Sequence, residues 1–147
     1  MATRRGAYAR MSVPAQSSAL RLVAADGLVV DAYVHADLAP SYAGGGAFGA
    51  QNLFLVQAGI ALAAALLVLT SGRRGACLVA AAVAASALAA VVTYRYVDLG
   101  SIGPLPDLYE PVWYPEKAVA TAGEAVAFVA AALALIRHRE GIAARPG

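Results

Sequence analysis

The chain is 147 residues long, 61% hydrophobic and only 14% charged, with a formal net charge of +2. Soluble domains run near roughly 45–50% apolar and about 25% charged, so this composition excludes an ordinary water-soluble globular domain. The single cysteine, Cys77, excludes an intramolecular disulfide or a thiolate metal cluster and reads as an inert structural residue.

Residues 1–18 are polar and basic, with Arg4, Arg5 and Arg10, and predict a short cytoplasmic tail in which Ser17 or Ser18 would cap the helix that follows. Residues 20–38 are the first candidate span, interrupted by Asp26, Asp31 and His35. A charge at mid-membrane costs about 2.5–3.5 kcal/mol on insertion scales, which makes this the weakest span. A signal peptide and an amphipathic surface helix are the alternatives for it. Residues 39–51 are glycine-rich and read as a loop; no Gly-Lys-Ser/Thr follows, so a phosphate loop is not expected.

Residues 53–70 form a clear second span in which Gln57 is the strongly polar side chain, and Arg73 and Arg74 mark a tight basic turn. Residues 76–97 are a third span of small residues that ends in Thr93, Tyr94, Arg95 and Tyr96. The stretch 98–117 is the long interruption between two apolar runs and predicts a structured outer lid, bearing Tyr109, Glu110, Trp113 and Tyr114. Residues 118–136 are the fourth span, with Glu124 inside it and Gly123 and Ala127 as a small-residue face for helix packing. Pro115 and Glu116 suit its first turn, where a missing N–H costs nothing and a negative charge meets the positive end of the helix dipole. Residues 19–137 are thus one transmembrane domain, and 138–147 a second cytoplasmic tail.

Charge sets the expected topology. With four spans and both termini inside, Arg4, Arg5, Arg10, Arg21, Arg73, Arg74, Arg137, Arg139 and Arg145 are cytoplasmic, and only Arg95 and Lys117 are outside. That asymmetry is the positive-inside pattern, and it favours passage of residues 20–38 despite their acids. Tyr42, Tyr94, Tyr96, Tyr109, Trp113 and Tyr114 then fall at the outer boundary, as interfacial aromatics do. The basic residues flank membrane segments, so no nucleic-acid partner is expected.

Depth brings the polar residues together. At 1.5 Å per residue, Asp31 lies about 13 Å below the end of helix one near Pro40, and Glu124 about 13 Å below the start of helix four at Pro115. Gln57 is about 9 Å below Gln51, and Arg95 sits near the outer end of helix three. Asp31 and His35 are four residues apart and share a helix face. Three readings follow: a structural network in which Arg95 pairs with Glu124 or Asp31; a site for a metal ion, a quinone or a lipid head group; or proton or solute movement, with Asp26 as an inner relay.

At Glu110-Pro111-Val112-Trp113-Tyr114-Pro115, followed by Glu124, the chain resembles uncharacterised small four-helix integral membrane proteins of high-GC bacteria, with a layout loosely similar to DoxX-like proteins. The resemblance implies an all-α four-span bundle with a structured outer loop between helices three and four, and it carries over no functional residue. No Ser/His/Asp set, CxxC, HExxH or paired-carboxylate motif is present, so an enzyme is not expected, nor a resident cofactor. The leading expectation is an accessory or partner-binding subunit of a bacterial inner membrane, in the bilayer and presenting its lid to a membrane-protein partner or a second copy. The alternative is a small binding or transport protein using Asp31, His35 and Glu124.

Overall fold

This computed structural model describes the backbone of residues 13–143 and the side chains of residues 18–138. Four α-helices account for most of it: α1 (Val13–Leu38), α2 (Ala50–Ser71), α3 (Arg74–Tyr96) and α4 (Pro115–Ala143). No strand occurs among the described residues. α1 begins upstream of the expected position, so Ser17 and Ser18 lie inside it rather than capping it. At the other end α4 runs through the segment expected to be a tail, because no breaker precedes Gly141.

The helix ends have local causes. Pro40 cannot donate to the carbonyl one turn back, and the chain tightens there into a 3₁₀ turn, Ala39–Tyr42. A second such turn, Gly46–Phe48, occupies the glycine-rich segment. α2 stops at Gly72, whose φ of 58° is left-handed and easily adopted without a Cβ. Arg21, reaching from α1, donates from Nε to the Val68 carbonyl (2.8 Å) and from a terminal nitrogen to the Leu69 carbonyl (2.6 Å). A cation there satisfies two orphan acceptors and meets the negative end of the α2 dipole.

α1 packs on α2 and α4, and α3 closes the ring by packing on the same two helices. The core is built mainly from alanine: Ala24, Ala61, Ala64, Ala80, Ala84, Ala127, Ala131 and Ala134, with Leu28, Val68 and Cys77 as its larger members. The big apolar side chains point the other way, with Leu62, Leu66, Val126 and Val129 exposed. Small residues inside and large aliphatic ones outside suit a helix bundle surrounded by lipid, where close backbone approach rather than water exclusion holds helices together. α2, α3 and α4 are each long and apolar enough to cross a membrane. α1 carries Arg21, Asp26 and Asp31 within one span length, and on composition alone it is not among them.

The tightest crossing is α1 on α4. A Cβ added at Gly27 would collide with the Gly123 carbonyl oxygen and lie 2.9 Å from the Ala127 nitrogen, and one at Gly123 would come within 2.9 Å of the Gly27 oxygen. These positions require glycine by contact. The small face expected at Gly123 and Ala127 therefore has its partner in Gly27.

A buried carboxylate–imidazole cluster beneath the lid

The glycine crossing positions the polar cluster. In a helix each Cα–Cβ bond tilts toward the helix N-terminus. α1 and α4 are antiparallel, so Asp31 leans toward the Arg21 end while Glu124 leans toward the lid, and the two side chains converge beside Gly27 and Gly123. Asp31 is wholly buried and Glu124 is 2% exposed. One ligand atom each from Asp31, His35 and Glu124 lies within 4.8 Å of the others.

Each member has a distinct environment. His35 Nδ1 is 2.7 Å from Asp31 Oδ1 and 3.0 Å from the Asp31 carbonyl oxygen, so the helical spacing fixes the ring. The imidazole also stands against Phe54 of α2, with ring centroids 5.2 Å apart. Gln57 of α2 donates from Nε2 to Asp31 Oδ2 at 2.9 Å. Glu124 Oε2 is buried without a hydrogen-bond donor. Two facing carboxylates carry two negative charges when ionised. An imidazolium at His35 balances one; the other needs a proton or a cation.

Above the cluster lies a cavity of about 300 Å³ that reaches from Glu124, His35 and Gln57 up to Tyr42, Tyr94 and Tyr109. The lid roofs it. The Glu110 N–H donates to the carbonyl of Tyr94 at the end of α3 (3.0 Å). Lys117, buried in the first turns of α4, donates to the carbonyls of Glu110 (2.5 Å) and Val112 (3.4 Å). The Tyr42 and Tyr114 hydroxyls lie 3.2 Å apart and tie the 3₁₀ turn after α1 to the base of the lid. Burial, followed by that hydrogen bond, holds the Tyr114 hydroxyl well above the ordinary tyrosine range.

Two expected members stand elsewhere. Arg95 makes no ion pair with Glu124 or Asp31. Its guanidinium lies over Tyr96 (4.9 Å) and Trp113 (5.8 Å), with Nε buried and unpartnered. The end of α3 is too far out to reach the α1–α4 crossing, and the aromatic faces at the boundary hold the cation there. Asp26 is exposed. Five residues turn a helix through about 500°, which carries Asp26 off the face that holds Asp31, so it has no place in the interior as an inner relay. Arg21 as the α2 cap and Lys117 as the lid anchor were not anticipated. Arg21 had a signal in its position near the basic end of the bundle, but its acceptors are backbone atoms 47 and 48 residues away.

No family model, curated protein or solved structure matches this chain. The site therefore stands on its own geometry.

Proposed function

We propose that this protein is a four-span bundle of a bacterial inner membrane, both termini cytoplasmic, that binds a small ligand from the outer side in the cavity floored by His35, Gln57 and Glu124, next to Asp31. The carrying observation is Glu124 Oε2, a buried acceptor with no donor on the wall of a cavity. An isolated buried carboxylate is costly, so a site that keeps one beside open volume is suited to a ligand that completes it. Binding fits better than conduction, because below the cluster the interior is filled by Leu28, Ala61, Val68 and Ala131.

Passage of α1 is supported by its partners. Arg21 meets the last carbonyls of α2, and His35 meets Phe54 near the start of α2. Those contacts are about 21 Å apart along α1, most of a hydrocarbon core. A protease-cleavable tag ahead of Arg4 is expected to be cut in inverted vesicles and spared in intact spheroplasts; the reverse pattern overturns the topology.

Ligand binding is tested by mass spectrometry of whatever leaves the protein when it is purified from native membranes. Ala87 is buried on the cavity wall. Ala87→Phe should fill the volume and abolish co-purification while the protein remains monodisperse.

A second reading is favoured by the lid surface, where Leu99, Ile102, Val112 and Trp113 are exposed. Such an apolar face, with Tyr109 and Glu110 beside it, suits contact with another membrane protein, as an accessory subunit would make. Cross-linking from residue 112 in native membranes tests it, and capture of lipid alone would defeat it.

A further inference from the structure

We infer that the Asp31–His35–Glu124 cluster is a binding site for one divalent first-row transition-metal ion, a reading that rests on the ligand-binding cavity proposed above and names what occupies its floor. The donor chemistry is specific. Two carboxylates and one neutral imidazole compensate a dication completely, so a buried cluster that otherwise needs a proton becomes neutral on metal binding. The imidazole favours zinc or iron over the oxygen-preferring magnesium and calcium, and the two carboxylates also suit manganese.

The unpartnered oxygen points the same way. Gln57 occupies Asp31 Oδ2 and His35 Nδ1 stands 2.7 Å from Oδ1, whereas Glu124 Oε2 has no donor. Asp31 and Glu124 are both more than nine-tenths buried. In a tetrahedral arrangement, ligand atoms 2.0–2.2 Å from one ion stand about 3.3–3.6 Å apart. The observed 4.8 Å envelope closes to that by side-chain rotations that move the ligand atoms by about 1 Å. Gln57 would orient the Asp31 carboxylate from behind, as outer-shell partners of metal ligands do. Three protein ligands leave a coordination position open toward the cavity, where water or a donor group of an organic ligand can bind.

The test uses the full chain, purified in nanodiscs, stripped with chelator and titrated separately with Zn²⁺, Mn²⁺ and Mg²⁺. Bound metal is counted by plasma mass spectrometry, and folding is followed by circular dichroism. The expected result is one Zn²⁺ or Mn²⁺ per chain, no retention of Mg²⁺, and loss of binding in both Glu124→Gln and His35→Ala. Gln57→Leu, which touches no metal, should weaken affinity about 10–100-fold. Because a change at Glu124 can unfold the bundle, each variant is scored only against its own metal-free circular dichroism, and His35→Ala, at the cavity edge, serves as the second variant. Folded wild type that binds no transition metal, or binds it equally in folded His35→Ala, overturns the inference. If an organic ligand still co-purifies and is excluded by Ala87→Phe, the metal assignment alone falls. If neither metal nor organic ligand binds, the cavity reading falls with it.

Discussion

Toward the Arg21 end, the four helices meet through Ala24, Val68, Cys77, Ala131 and Ala134, with no buried charged side chain among the described residues. Toward the lid, the same helices enclose Asp31, Glu124 and a cavity of about 300 Å³. At that end Arg21 caps α2 through two backbone carbonyls. The lid half leaves the Glu124 Oε2 acceptor open in its interior. In lipid, where packing of small residues supplies the stability, the Arg21 half can hold the bundle while the lid half carries the cavity of the proposed ligand site.

Substitutions separate the two halves. The largest effect is expected at their boundary: Gly27→Val places side-chain atoms inside α4 backbone and should destabilise by about 3 kcal/mol, read as loss of monodisperse protein or a lowered unfolding midpoint. Asp31→Ala comes next. It strands the Gln57 amide and frees the His35 ring, costing about 2 kcal/mol and removing ligand binding together with stability. Arg21→Ala should cost about 1 kcal/mol through the α2 cap yet leave ligand occupancy unchanged. Equal loss of occupancy in Arg21→Ala and Asp31→Ala would erase the distinction between the halves. The smallest effect belongs to Tyr42→Phe. Tyr114 is held above its unfolded value, so the wild-type fold loses stability as pH rises past the ordinary tyrosine range. Without the Tyr42 hydroxyl, Tyr114 should ionise at lower pH in ultraviolet difference titration, and the alkaline loss should shrink.

Much of this was legible in the residues. Asp31 and His35 share a face because four residues return to the same side of a helix, and Glu124 matches the depth of Asp31 because each lies a similar number of residues from a proline at the lid end of its helix. Pro40, Gly72 and Pro115 act where their backbone chemistry requires. Arg95 matches the acids in depth but not in space, and the neighbouring aromatic faces are its nearer attraction. Asp26 had a suitable depth but the wrong azimuth, which the same helical period already implied.

From the residues alone came an all-helical chain with four expected spans, of which three form helices long and apolar enough to cross a membrane, an expected lid between the last two, and acids at matching depth. Those features depend on local composition and on the pitch of the helix, which every residue obeys independently of its neighbours in space. Which side chains meet was decided by tertiary structure. The Gly27–Gly123 crossing brings two backbones close enough for Asp31 and Glu124 to converge, and the crossing exists only when helices from opposite ends of the chain lie together.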